Sequence, residues 1–464
     1  MKTLFLFSIF TLLSVNIFAQ HSTGHITKTF IDASRNNRNI QTEIYYPAIS
    51  SGDNTTAAAG EFPVIIFGHG FVMVWSAYAN LWEEFVPRGY IMVFPTSESS
   101  FSVDHQQFGW DLQYLVTELQ NEGTLESSIL YNKVAPETAL MGHSMGGGAC
   151  FLAADSLCTN GNTNLKTLIG FAPAESTTNG VSSIASAARI TVPSLILSGI
   201  QDGVTPPVDH HIPMYNALTS ACKTILNIIG GGHCYFANSN LACDFGESSS
   251  STGISITRAQ QHDVTFDFVN LWLDYTLKDK CDAFSKFQDS VAISTRVTNQ
   301  QSCNISIPTI NTTINQTATT LASNEVNATS YQWLDCDDNY AQILNETNQS
   351  FMPSSNGSYA VEILVGGCKA ISNCISFPEN LGTNESILKN IKFYPNPTND
   401  FITIKLDATM VINVSISDIN GNVLLNKEKV KTGDNISINT ISSGTYFITF
   451  TYQGLTSVQK FIIE

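Results

Sequence analysis

The sequence predicts an α/β architecture, a mostly parallel sheet with helices on both faces, followed by two smaller all-β modules. Three observations carry this. Short, nearly unbroken apolar runs recur and alternate with stretches of helical period, the pattern of a buried parallel sheet. A glycine-rich turn, Gly142-His143-Ser144-Met145-Gly146-Gly147-Gly148, stands between one such run and a small-residue stretch suited to a helix. Near Ser290 the composition shifts to Asn, Thr, Ser and Ile in short alternating segments.

In order along the chain, residues 26–31 and 40–46 read as two strands joined by Asn36-Asn37-Arg38-Asn39, an antiparallel hairpin. A Ser/Thr/Gly/Ala-rich loop covers 50–60. Residues 63–68 form a buried strand that ends at His69-Gly70-Phe71. Leu81, Trp82 and Phe85 keep helical spacing until Arg88-Gly89, and 90–95 is the next strand. Phe108, Leu112, Leu115 and Leu119 mark an amphipathic helix. Strands at 138–141, 165–171, 192–199 and 223–229 follow, and Val264, Phe268, Trp272 and Tyr275 define a closing helix. Strands alternating with helices call for parallel pairing and right-handed crossovers. Beyond the shift, 331–333 and 357–362 look like sandwich strands, and a last β-rich segment opens at 391. The expected domains are therefore 21–290, 291–377, a linker over 378–390, and 391–464.

The chain has 464 residues and a formal net charge of -17, which argues against nucleic acid or an anionic membrane as a partner. Met1-Lys2 and the apolar run over 4–18 read as a secretory signal peptide spanning 1–20; the run is short and broken by Ser8, Thr11, Ser14 and Asn16, unlike a membrane anchor. Export permits disulfides, and the ten cysteines are even in number. Cys234 and Cys243 bracket a loop they are able to staple, while the remaining pairing is open. There is no C-x-x-C spacing, so the cysteines do not suggest a metal site.

The chemistry gathers around Ser144. A G-x-S-x-G between strand and helix sets a serine on a sharp turn above the sheet, provided a base and an orienting acid follow in the order Ser, Asp or Glu, His. Asp202 lies just past the strand ending at 199, and His233 just past the strand ending near 229. Taken alone, Asp202-Gly203 is a turn and His233 a loop histidine; together they occupy the two required slots. His143, His210, His211, His262, His105, His21 and His25 are weaker candidates, with His262 expected before the closing helix. A tetrahedral intermediate needs two backbone N–H donors, for which Met145 and Phe71 are placed; their side chains would line a cleft. Residues 172–190 are too few for a large lid, which predicts a serine open to solvent and suited to bulky esters. This chemistry requires no cofactor and no metal.

From about residue 20 to Cys281 the chain resembles secreted cutinase-like polyester hydrolases, including poly(ethylene terephthalate)-degrading enzymes of the α/β-hydrolase fold. The matching stretches are His69-Gly70-Phe71, the turn around Ser144, Asp202 with Val204-Thr205-Pro206-Pro207, and His211-Ile212-Pro213-Met214-Tyr215-Asn216-Ala217-Leu218. Gly232-His233-Cys234-Tyr235-Phe236-Ala237-Asn238 and Trp272-Leu273-Asp274-Tyr275 complete the set. The resemblance implies Ser144 as nucleophile, Asp202 as acid, His233 as base and Phe71 and Met145 as oxyanion donors. The family usually has Tyr at Phe71, and Trp at Ala174 in the substrate cleft, where it forms part of an aromatic clamp. Chlorophyllase-like and platelet-activating-factor-acetylhydrolase-like esterases share a similar turn. Residues 309–377 resemble an immunoglobulin-like module of secreted Bacteroidetes proteins. Phe393-Tyr394-Pro395-Asn396-Pro397 and Gly444-Thr445-Tyr446-Phe447 resemble a type IX secretion sorting domain, which implies handling by that machinery, with release or surface attachment. The expected function is a secreted serine ester hydrolase acting on polyesters or bulky esters. The alternatives are a small-ester esterase, a peptidase of the same fold, and a surface adhesin with an inactive hydrolase domain.

Overall fold

The structure, a computed structural model, describes residues 21–464 except 318, 378–387, 389–390, 407–409 and 453–454. The proposed signal peptide and nearly all of the proposed linker lie outside the described residues. The chain divides into two compact units. The first runs to Ile310 and takes in 327–329 and 363–370, and the second holds the remainder.

The first unit is built on a ten-stranded mixed sheet. Its strands are β1 (Ser22–Asp32), β2 (Arg38–Ala48), β3 (Gly52–Asp53), β4 (Phe62–Gly68), β5 (Ile91–Pro95), β6 (Val134–His143), β7 (Leu165–Phe171), β8 (Ser194–Gly199), β9 (Cys222–Ile228) and β10 (Val297–Cys303). They lie in the order β10-β9-β8-β7-β6-β4-β5-β2-β1-β3. The run from β5 through β4 and β6 to β9 is parallel throughout, whereas β1, β2 and β5 pair antiparallel on one side.

The central strands are apolar at consecutive positions because both faces are covered. Even-numbered Val64 and Ile66 join a core with Phe108, Leu112 and Ala149 from α2 (His105–Thr124) and α3 (Met145–Thr159). Odd-numbered Ile65 and Phe67 join the opposite core with Leu81 and Phe85 from α1 (Ala79–Phe85), Phe268 and Trp272 from α7 (Arg258–Lys278), and Phe287 from α8 (Cys281–Ile293). The helices begin where side chains satisfy their free N–H groups. Asp104 accepts from Gln106 and Gln107 N–H at 2.9 and 3.1 Å, and Thr257 with Gln260 forms a capping box. His262, expected ahead of the closing helix, lies within α7 because this cap starts the helix four residues earlier. The remaining helices are short, α4 (Ser183–Ala187), α5 (His211–Ala217) and α6 (Leu241–Ser250).

The boundary expected at 290 is corrected. β10, read as the start of the sandwich, pairs antiparallel with β9, with Val297 opposite Ile228 and Cys303 opposite Cys222. A Cys222–Cys303 disulfide joins the same two strands. An edge strand has one partner and much solvent, so polar Thr298-Asn299-Gln300-Gln301-Ser302 suits it without core patterning.

Beyond residue 310 the chain forms four small sheets with antiparallel pairing in each. Over 392–464, Ile402 and Ile404 from one sheet and Val414, Ile416, Ile448 and Phe450 from the other share a single buried cluster. Among the described residues, no helix is long and apolar enough to cross a membrane.

α3 approaches β4 closely at Gly146. A Cβ there would overlap the carbonyl group of Gly68, inside the 3.0 Å that real contacts do not reach. Backbone cannot step aside as a side chain can. Gly146→Ala is therefore expected to cost at least about 3 kcal/mol in urea unfolding.

Candidate active site

Ser144 joins β6 to α3 with φ 54 and ψ -122, a left-handed backbone that a residue with a Cβ rarely adopts. Such a residue costs on the order of 1–3 kcal/mol and persists only where its surroundings hold it. Here Ser144 N–H donates to Phe171 O at 2.9 Å, and Ser144 O accepts from Gly148 N–H at 3.0 Å and Ala174 N–H at 2.8 Å. These bonds fix the backbone of the turn. Residues 172–193 carry no lid larger than the five-residue α4, and Ser144 as a whole residue is 9 % exposed. The Ser144 hydroxyl makes no hydrogen bond with a described residue.

Asp202 and His233 come together although 31 residues apart. His233 Nδ1 lies 2.8 Å from Asp202 Oδ2, and both side chains are buried. The other carboxylate oxygen, Oδ1, accepts from Val204 N–H at 2.9 Å and Thr205 N–H at 2.8 Å, which fixes the plane of the group. Burial alone would raise the Asp202 carboxyl; the charge and hydrogen bond of His233, the nearby His211 and the Thr205 N–H outweigh it and hold it below its usual value. A carboxylate at Nδ1 keeps the imidazole proton there and leaves Nε2 as the acceptor. Ser144 follows His143, whose ring lies 4.7 Å from that of His233, centroid to centroid.

Thr205 is a part of this centre that sequence reasoning missed, and His211, a weaker candidate for the base, joins it as a neighbour of Thr205, although both lie in stretches quoted for the resemblance. Thr205 Oγ1 is 3.0 Å from Asp202 Oδ2, 2.9 Å from His233 Nδ1 and 3.1 Å from His211 Nε2. Ser198 Oγ is 2.7 Å from His211 Nδ1. His143, read as pointing away from the serine, sits with Nδ1 2.9 Å from the Tyr78 hydroxyl and Nε2 3.0 Å from His233 O. The Tyr78 hydroxyl accepts from Gly70 N–H at 2.8 Å. One side-chain chain thus ties the loop after β4 to the loop after β9. Burial and the neighbouring His233 push His143 well below its usual value, so it stays neutral and donates from Nε2 to the carbonyl.

Phe71 is 47 % exposed on the loop after β4, and among the described residues neither its N–H nor that of Met145 is paired. The Met145 side chain is corrected. It is 2 % exposed and belongs to the core with Leu140 and Ala149, because the first turn of α3 faces the sheet. Only its backbone is available to the site. Ala174 is partly exposed. Phe101, which the sequence reading passed over, is 84 % exposed and meets Phe71 edge to face at 6.2 Å. The Cys234–Cys243 disulfide is present, as are Cys281–Cys368 and Cys336–Cys374.

Burial pushes His211 down to about 3, against the opposing pull of Asp202. A histidine in the unfolded chain titrates near 6.5. Between those values the unfolded chain binds a proton that the folded one excludes, so stability falls as pH is lowered. This group alone is expected to remove about 2 kcal/mol between pH 6.5 and pH 5. His211→Asn is expected to flatten the pH dependence of the urea midpoint by that amount; an unchanged slope would contradict a neutral, buried His211.

Two family models match the chain. One, described as PET hydrolase-like, covers residues 17–252, and the other, a secretion system C-terminal sorting domain, covers 392–464. Among known proteins, Cutinase 2 of Thermobifida cellulosilytica is 27% identical over 198 residues, 41% of this chain and 64% of the relative. A cutinase of Thermobifida fusca strain YX is 27% identical over 198 residues, 41% of this chain and 52% of the relative. Cutinase est1 of Thermobifida alba is 28% identical over 197 residues, 41% of this chain and 56% of the relative. The chain therefore spans less than two thirds of the length of these relatives. The type IX sorting domain, in a chain with four disulfides among the described residues, marks a protein exported to the cell surface or beyond it. With the family model matching more than half of its residues, the chain belongs to the PET hydrolase-like family.

Proposed function

We propose that the chain is a serine carboxylic ester hydrolase that works through an acyl-enzyme. The observation that carries this is the buried Asp202–His233 pair at 2.8 Å beside a serine in a left-handed elbow. His233 Nε2 takes the Ser144 proton as Oγ bonds to the ester carbonyl carbon. The resulting oxyanion is held by the free N–H groups of Met145 and Phe71. The protonated imidazole then gives its proton to the leaving alkoxide. A water molecule, deprotonated by the same nitrogen, releases the acid. The missing Ser144–His233 hydrogen bond is compatible, since such contacts tighten only when substrate is bound.

The substrates are polyesters or other bulky esters. The family supports this, as does the exposed Phe71–Phe101 pair, with Phe71 on the loop after β4, the strand paired with β6; the pair offers an apolar wall to an acyl chain or ring. The paired small sheets of residues 311–377 and 392–464 are proposed to be two β-sandwiches, the second handled by the type IX machinery. A fluorophosphonate probe is expected to label the chain once, on the peptide bearing Ser144. No labelling, or labelling elsewhere, would leave an inactive binding protein as the better reading.

A further inference from the structure

α6 is a helix with little to do in the core. Of its ten residues only Glu247 is buried, while Leu241 and Phe245 are 89 % and 73 % exposed. A helix normally earns its place by burying an apolar stripe; this one buries a carboxylate. It is fastened by other means. Cys243 is bonded to Cys234, the residue after the proposed base, and Arg258 Nη2 donates to Asp244 Oδ1 at 2.7 Å.

The buried carboxylate faces the loop that carries His233. Glu247 Oε1 accepts from the His233 N–H, and Oε2 accepts from the Cys234 N–H at 3.0 Å. Gly232 has no side chain, and a Cβ there would overlap Glu247 Oε1. Just past the helix, the Ser251 hydroxyl accepts from Gly203 N–H at 2.9 Å, on the loop of Asp202. One helical end therefore grips the backbone of both loops that the proposed mechanism must keep in register. Gln261 of α7 braces the same turn, accepting from Gly232 N–H at 3.0 Å and donating to Gly232 O at 2.9 Å.

We propose that α6 is a disulfide-tethered strap for the acid–base pair, and that Glu247 is a positioning residue acting through the His233 backbone. This rests on the reading of Ser144, Asp202 and His233 given above. The two N–H donors are met by separate oxygens, His233 by Oε1 and Cys234 by Oε2, so the carboxylate engages the loop with both of its acceptors. Glu247→Gln keeps the shape and turns one acceptor into a donor, so the loop must shift. A shift of about an ångström in a catalytic base costs on the order of 100-fold in rate.

The test uses the full chain and p-nitrophenyl butyrate. Glu247→Gln is expected to lower the kcat of the folded enzyme by 10- to 100-fold, with KM within twofold and Tm lowered by a few degrees for the buried donor left unpaired; Glu247→Asp is expected to recover part of the loss in kcat. A role confined to folding would lower Tm and leave the kcat of the folded fraction intact. Should Glu247→Gln fail to fold, a Cys234→Ser/Cys243→Ser double variant, which unties α6 and keeps Glu247, carries the same expectation for kcat. Activity of either variant within twofold of the parent overturns the strap. A parent chain without esterase activity would instead sink the serine-hydrolase reading, so the two failures are distinct.

Discussion

Ser144→Ala is expected to lower kcat for p-nitrophenyl butyrate by about 10⁴- to 10⁶-fold while leaving Tm within a few degrees. The size follows from the division of labour. Without Oγ, no covalent acyl-enzyme forms, and only the N–H groups of Met145 and Phe71 and apolar binding remain to assist water. The small effect on stability has a separate cause. The Ser144 hydroxyl makes no hydrogen bond with a described residue, so deleting it leaves no buried group unpaired. Alanine also takes the same strained φ of 54 as serine, held by the same bonds to Phe171, Gly148 and Ala174. The comparison is thus nearly free of folding effects. Turnover within tenfold of the parent would move the nucleophile elsewhere and would undo the proposed function.

What the sequence made legible follows from burial. β4 and β6 to β9 sit under helices on both faces, so their composition is forced to be apolar, and the alternation of strand and helix can be read directly. Asp202 and His233 were placed by position after a strand, and their contact depends on the sheet order that this alternation implies. β10 was illegible for the converse reason. Its one neighbour, β9, binds it through main-chain groups, which any residue supplies, so its polar side chains signal a loop or a new module. Glu247 was equally hidden. It lies in a Ser-rich stretch without apolar period, which is held against the base by the disulfide to Cys234 and by polar contacts between residues far apart in sequence. Thr205 shows an intermediate case. It stands in a recognisable motif, yet its hydroxyl gains meaning only where Asp202, His211 and His233 meet around it.

The second large effect is expected from Asp202→Asn, a fall in kcat on the order of 10⁴-fold. The direction depends on how the new amide must lie. Asp202 Oδ1 accepts from two backbone N–H groups, those of Val204 and Thr205. Asparagine must keep its oxygen there, since turning its NH₂ toward two donors would leave three polar groups unpaired in a buried site. Its Nδ2 then takes the place of Oδ2, 2.8 Å from His233 Nδ1. Two donors cannot face each other, so Nδ1 becomes the acceptor and the proton moves to Nε2. A protonated Nε2 is unable to take the proton of Ser144, and the imidazolium also loses its counter-charge. KM should change little, because Asp202 is buried and reaches the site through the imidazole of His233. Labelling by the fluorophosphonate should slow in step with kcat, as both need the same proton removed. If Asp202→Asn kept a rate within tenfold of the parent, the carboxylate serving His233 would have to be another. Glu247, buried against the same backbone, would be the first to examine.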